Sequence, residues 1–264
     1  MKGFLIYELN EIERNQGFIN LLIQAAKSNN IELSVIDDKQ QIPDADFFFF
    51  RARNPKLAKE LEQRNIPMFN RAEVNVIAND KRKATQLVQL LGIATVPTRK
   101  IQSVTNLRDF PIVLKTVDGH GGSQVELINS LVNAEEFMSN YRDQTIIVQP
   151  FIESNATDIR VFMLGKEVFG AVKRTGGKDS FKSNFTLGGT VEPYMLDSKQ
   201  LAEVEKIATA LKSDYIGIDF LLLPDGNWLF NEIEDPVGAR SYYETTGKDI
   251  AVSIMAYIQK RLFE

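Results

Sequence analysis

Residues 216–238, IGIDFLLLPDGNWLFNEIEDPVG, constrain the fold of this chain more than any other stretch. Two short apolar runs flank Pro224-Asp225-Gly226-Asn227, and Asp-Gly between such runs is a strong short-range hairpin signal. With Asp225 and Gly226 as a two-residue loop, Leu223 lies opposite Trp228, Leu221 opposite Phe230, and Asp219 opposite Glu232. Side chains alternate between faces along a strand, so Glu234 shares the face of Glu232. Three carboxylates then converge on one face, where like charges repel. Something positive must lie among them, and a hard divalent cation held by carboxylate oxygens meets that need. The alternative, a solvated acidic face, is opposed by Leu221 and Phe230, which this register places beside the acids.

Composition narrows the chemistry. The 264 residues, 44% hydrophobic and 25% charged, are enough for two or three subdomains of an ordinary globular protein. A net charge of −4 gives no electrostatic footprint for a nucleic-acid partner. The absence of cysteine excludes disulfides, thiol nucleophiles and Cys-ligated metals, and a single histidine, His120, argues against a Ser-His-Asp triad. The opening MKGFLIYELNE is too short an apolar run for a signal peptide, and no stretch approaches a membrane span. The expectation is a cytoplasmic protein that engages neither membrane nor nucleic acid. Its tools are carboxylates, Lys, Arg, Asn and backbone amides.

Residues 1–77 alternate strands and helices: GFLIYEL, a helix with Phe18, Leu21, Leu22 and Ala25 on one face, LSVID, DFFFFRAR, and LAKELEQRNIPMFN. This rhythm predicts a parallel βαβ sheet covered by helices. Phe47–Phe50 read as a buried strand. Arg51 and Arg53 end it, where open α/β sheets bind ligands; a substrate-carboxylate contact and a simple loop start both fit. NDKRKATQLVQLLG (79–92) predicts a helix capped by Asn79 and closed by Gly92, with Ala84, Leu87, Val88 and Leu91 inward. Lys81 falls in its first turn, where the macrodipole disfavours a cation, which hints at a ligand.

PIVLKTV (111–117) is a strand that flanks Lys115 with Val113 and Val117, a setting that costs desolvation unless an anion is near. DGHGGS (118–123) turns back into QVELI, a hairpin whose backbone N–H groups can close over phosphates. TIIVQPFI (145–152) is a further strand, and residues 158–174 form two strands about Gly165-Lys166. On these, Asp158, Arg160 and Arg174 do not belong to an obvious solvent face. Residues 175–190 are a polar, Gly-rich loop without the Walker A spacing. Residues 199–212 predict a helix with Leu201, Val204, Ile207, Ala208 and Leu211 inward, and a last helix spans about 247–262.

Taken in order, NRAEVNVIANDK (70–81), VLKTVDGHGGSQV (113–125), VQPFIE with DIRVFMLGKEV (148–168), FKSNFTLGG (181–189), GIDFL (217–221), NEIE (231–234) and YETTGKDIA (243–251) resemble the ATP-grasp superfamily. The resemblance is to the RimK-like carboxylate–amine ligases in particular and covers about residues 65–250. It implies an α/β (α+β) ATP-grasp fold with an N-terminal parallel βαβ pre-ATP-grasp domain (1–77), a central subdomain carrying the Gly-rich phosphate hairpin (78–148), and a C-terminal subdomain with the metal site (149–264).

The resemblance also implies roles. Lys115 holds the α- and β-phosphates of ATP, with Lys81 a second lysine near the nucleotide. Pro150 and Phe151 form the adenine hinge, Asp158 binds the nucleotide through the ribose, and Lys182, Ser183 and Asn184 lie near ATP. Arg174, Lys115 and Arg160 are the candidate catalytic cations. Asp219, Glu232 and Glu234 occupy the metal positions for Mg²⁺, with Mn²⁺ as the alternative ion. The family usually has Glu-x-Asn where this chain has Glu232-Ile233-Glu234. The implied partners are a carboxylate substrate and an amine acceptor (an amino acid, peptide or protein terminus), joined through an acyl phosphate, glutamate being one candidate; self-association stays open. A phosphotransferase and a non-catalytic nucleotide-binding protein are the alternatives on the same scaffold.

Overall fold

The computed structural model describes residues 1–177 and 189–264, and within them three sheets. The first holds β1 (Lys2–Tyr7), β2 (Glu32–Asp37), β3 (Phe47–Phe50) and β4 (Met68–Phe69), all parallel in the order β2-β1-β3-β4. Helix α1 (Leu9–Arg14) leads into α2 (Gln16–Ser28), which buries Ile19, Leu22, Ala25 and Ala26 on one face; α3 (Pro55–Glu62) inserts Ala58 and Leu61 on the other. Phe47 and Phe49 pack with α2, and Phe48 and Phe50 with α3. A strand covered on both faces carries an unbroken apolar run, which accounts for the four consecutive phenylalanines.

The second sheet is antiparallel, with β5 (Arg99–Ile101), β6 (Ile112–Thr116), β7 (Val125–Ile128) and β8 (Ile146–Pro150) in the order β5-β8-β6-β7. It closes its core with Ala134 and Phe137 of α6 (Leu131–Asn140). The third, also antiparallel, orders β9 (Thr157–Leu164), β10 (Glu167–Thr175), β11 (Thr190–Pro193), β12 (Tyr215–Leu222) and β13 (Trp228–Glu234) as β11-β10-β9-β12-β13. Helices α4 (Ala72–Ala78), α5 (Lys81–Leu90) and α7 (Ser198–Leu211) cover one of its faces. On the other, α8 (Arg240–Thr246) and α9 (Ile250–Leu262) join α2 and the first sheet in one continuous core.

Two helix details differ from the sequence expectation. Asp80, not Asn79, caps α5, its Oδ1 accepting the N–H groups of Arg82 and Lys83 at 3.0 and 3.1 Å. Asn79 instead ends α4, and its amide donates to the Asn75 and Asp235 carbonyls. On α7, Leu201 is exposed; Gln200 takes the inward place because it completes a capping box with Asp197 and bonds the Tyr194 hydroxyl.

The β12–β13 hairpin reaches the expected pairing by another route. Leu223 N–H donates to Asn227 O at 2.8 Å and Gly226 N–H to Leu223 O at 3.0 Å, so the loop has three residues, with Gly226 at φ +85°. That is the other common hairpin turn, a type I turn followed by a left-handed glycine. It pairs Leu222 with Trp228, Leu221 with Leu229 and Phe220 with Phe230, one residue away from the two-residue-loop register. A bulge then places Asn231 as the extra residue of β13 and restores Asp219 opposite Glu232. Phe230 therefore turns to the core and packs edge-on to Phe220, while Leu221 stays beside the acids.

Candidate active site

The positive groups among the hairpin carboxylates are side chains of the neighbouring strands. Arg160 on β9 clamps Asp219 through Nε–Oδ1 and Nη2–Oδ2 at 2.8 and 2.6 Å, and its Nη2 lies 3.1 Å from Glu234. Arg174 on β10 clamps Asp158 at 2.7 and 2.6 Å and also donates to Asp219 Oδ2 at 2.7 Å. The registers Asp219↔Arg160 and Asp158↔Arg174 make these contacts, since directly opposed residues share a face. Burial alone would raise the carboxyl of Asp219, but Arg160 and Arg174 outweigh it and hold it down to about 2. Both guanidinium groups are correspondingly pushed up by their carboxylates against the effect of burial.

Lys115 faces this cluster from β6. Its Nζ donates to Asn231 Oδ1 at 3.1 Å, and burial draws the ammonium down to about 8, with Glu232 opposing and Lys81 reinforcing. Asn231 is there because of the bulge, which the two-residue-loop reading did not contain; a Pro-Asp-Gly loop read as three residues would have exposed it. Lys81 is drawn away from the start of α5: its Nζ bonds the Gly119 carbonyl and pairs with Glu232 at 3.4 Å. Gly121 and Gly122 sit at φ +63° and +75°, so the tight turn after β6 needs glycine there. These groups line a pocket of about 120 Å³ with Gln149, Pro150, Phe151, Asp158 and Leu221. The Phe151 N–H already donates to the Pro111 carbonyl at 3.3 Å, so a hinge role for that donor requires this long bond to give way.

A second, larger pocket of about 450 Å³ opens beside it, and the two share His120, Gly121 and Glu234. Its walls come from the ends of β1 and β3, α1, α2, the Gly-rich turn, the segment 236–244, and side chains of β9, β10 and β13 in the third sheet. Arg14, Arg51, Arg53, Arg160, Arg174 and Arg240 line it against Glu11, Glu234 and Glu244, so its charge is positive. The sequence pattern marks Arg51 and Arg53 and places Tyr243 at the head of a family-like segment, but gives no signal for Arg14 or Arg240, whose spacing carries no motif. Burial, then Arg53, lowers the pKa of half-buried His120 at the junction. Lys182, Ser183 and Asn184 lie outside the described residues.

One oxygen each from Asp219, Glu232 and Glu234 fall within 4.8 Å of one another. An all-carboxylate set of this kind suits a hard divalent cation such as Mg²⁺. The ion would enter a cluster whose charges are already balanced by Arg160, Arg174 and Lys81, so Asp219, with three arginine hydrogen bonds, is the least free of the three.

Antiparallel sheets gripping a lysine- and carboxylate-lined cleft define an ATP-grasp scaffold. D-cycloserine synthetase DcsG superposes with a TM-score of 0.82 over 99% of this chain and 100% of its own, at 15% identity. A sequence model of the RimK-like ATP-grasp domain matches residues 74–258, and the chain belongs to that family. Among curated relatives, the uncharacterized protein MG011 of Mycoplasma genitalium is 29% identical over 91% of this chain and 86% of its own length. A probable alpha-L-glutamate ligase of Aliivibrio salmonicida is 28% identical over 94% of each chain. The protein is thus an ATP-binding ligase of the ATP-grasp carboxylate–amine class, whose members generally use ATP with Mg²⁺. Among the described residues no helix is long and apolar enough to cross a membrane.

Proposed function

We propose that the smaller pocket holds ATP and the larger one a carboxylic acid and an amine, and that the protein joins the two as an amide through an acyl phosphate. The observation that carries this reading is the junction: the pockets meet at Glu234 and His120, with Lys115 lining the smaller one and Arg160 and Arg174 the larger. In this reading Lys115 and Lys81 hold the nucleotide phosphates, Pro150 and Phe151 edge the adenine, and Asp158 holds Arg174 in place beside the ribose. Lys182, Ser183 and Asn184 are assigned to ATP on the family resemblance.

A carboxylate oxygen of the acid attacks the γ-phosphorus and ADP leaves. The amine then attacks the acyl carbon, phosphate departs with the former carboxylate oxygen, and the amine proton is released. No side-chain nucleophile is needed, in keeping with a chain that lacks cysteine and has one histidine. Transfer of this kind rests on positioning and charge neutralisation, which the lysines and arginines provide. Asp219, Glu232 and Glu234 are the residues that would hold Mg²⁺, whose contribution when bound is further neutralisation of phosphate charge. The alpha-L-glutamate ligase relatives make glutamate the first acid or amine to try. The test is incubation with Mg-ATP and amino-acid pools: amine-dependent ADP release with a condensed product supports the proposal. A product heavier by one phosphoryl group, or nucleotide binding without turnover across the pools, contradicts it.

A further inference from the structure

Arg51 is a buried arginine of the larger pocket to which the proposed chemistry gives no role. It follows directly on β3 and is 2% exposed, yet it lines the larger pocket. The first sheet runs β2-β1-β3-β4, so the chain reverses direction across the sheet between β1 and β3. The carboxyl ends of parallel strands at such a switch point are where open α/β sheets take ligands. Tyr7 ends β1 and Arg51 follows β3 there.

The guanidinium sits among aromatic rings, 5.3–5.5 Å from the centroids of Tyr7, Phe18, Phe49 and Tyr215. Its Nε donates to the Tyr7 hydroxyl at 2.7 Å and Nη2 to the Val237 carbonyl at 2.6 Å. Five N–H groups are available, and among the described residues no carboxylate lies within ion-pair distance. Asp235 acts on it only through space: that carboxylate bonds Asn70 and Asn75, and burial pushes its carboxyl up, toward the neutral form. A buried cation without a counter-ion is costly, and ring faces offset only part of that cost. The same pocket carries Arg53, whose side chain likewise has no carboxylate within ion-pair distance among the described residues.

We propose that Arg51, assisted by Arg53, receives a carboxylate of the substrate that is not the one activated by ATP. The guanidinium fork matches a carboxylate in shape and charge, and Arg51 reaches the pocket from the first sheet whereas Glu234, Arg160 and Arg174 reach it from the third. The inference rests on the ligase reading and assigns a residue within it: one end of the substrate reacts while Arg51 holds a carboxylate that stays free. Arg51 is then a specificity-determining residue.

The experiment is equilibrium dialysis of radiolabelled L-glutamate against the full-length protein saturated with Mg²⁺ and a non-hydrolysable ATP analogue. Unlabelled L-glutamine and the α-amide of glutamate serve as competitors and separate the side-chain from the α-carboxylate as the group bound. The expected result is saturable binding in which one amide competes and the other does not. Arg51→Gln should weaken glutamate at least tenfold while nucleotide-analogue affinity stays within twofold, and Arg51→Lys should recover part of the loss. Where Arg51→Gln loses nucleotide binding through misfolding, Arg53→Gln, at a less buried position, should still weaken glutamate several-fold. No saturable binding by wild type, equal competition by both amides, or normal binding by the folded variants would overturn the assignment. Condensed product formed by enzyme whose Arg51 variants bind glutamate normally would remove this site and leave the ligase reading standing. Arg51-dependent binding with no condensation would do the reverse.

Discussion

Replacing Arg174 with Met tests the charge network from its centre. Arg174, Asp158 and Asp219 are 5%, 4% and 1% exposed, and the substitution removes three charge-assisted hydrogen bonds of 2.6–2.7 Å. Removing one partner of a buried pair costs about 3–5 kcal/mol, because the remaining charge stays out of water. At about 2–4 °C per kcal/mol for chains near this size, Tm at pH 7 should fall by roughly 6–20 °C. Asp219 retains both bonds from Arg160, which places the expectation toward the lower end. Arg174→Lys keeps the charge without the fork and should recover less than half of the loss. Scanning calorimetry of the single variants and of Arg174→Met combined with Asp158→Asn gives the coupling directly, expected at about 1 kcal/mol or more. An Arg174→Met protein melting within about 2 °C of wild type, or strictly additive effects, would refute the reasoning.

Four further outcomes follow. Lys115→Ala should lower turnover at saturating ATP by roughly 10²–10³, and since the Lys115 ammonium is lost as pH rises through about 8, wild-type affinity for the ATP analogue should decline above that pH; a titration that stays flat to pH 9.5 contradicts this. Glu234→Asn removes one of the three clustered carboxylates and its pair with Arg160, and should raise the Mg²⁺ concentration needed for half-maximal rate; unchanged metal dependence makes Glu234 a bystander. Burial raises Asp214, beside Tyr257 and Arg261, to about 6 from 3.8, so its contribution is fully present below about 3.8 and is lost as pH rises through 6. Between pH 7.5 and 4.5 wild type should therefore gain about 2 kcal/mol relative to Asp214→Asn in denaturant titrations, and parallel pH profiles would contradict the shift.

Local pattern made much of the fold legible. The βαβ rhythm of residues 1–77, the Lys115 strand with its glycine turn, and the strand pair about Gly165 all recur in the structure, because short-range periodicity and turn chemistry govern them. The opposition of Asp219 and Glu232 was also legible, though through compensation. A loop one residue longer than Asp-Gly suggests and a bulge at Asn231 cancel, so the difference is confined to residues 228–231, where Trp228 and Phe230 turn to the core and Asn231 is the extra residue. What the sequence could not display is long-range. Arg160 and Arg174 reach Asp219 across 59 and 45 residues, and Arg51 meets the Val237 carbonyl across 186. A charge facing a carboxylate from a neighbouring strand leaves no trace in local spacing, so local pattern points only to a metal as the cation among the acids.

The most direct measurement of the central claim is the fate of the substrate's carboxylate oxygen. With amino acids and acidic peptides labelled with ¹⁸O in their carboxylates, Mg-ATP and the full-length protein, mass analysis of the released phosphate reports whether an acyl phosphate formed. One ¹⁸O atom per phosphate, in step with condensed product, is the predicted result. Unlabelled phosphate accompanying amine-dependent turnover would contradict the account.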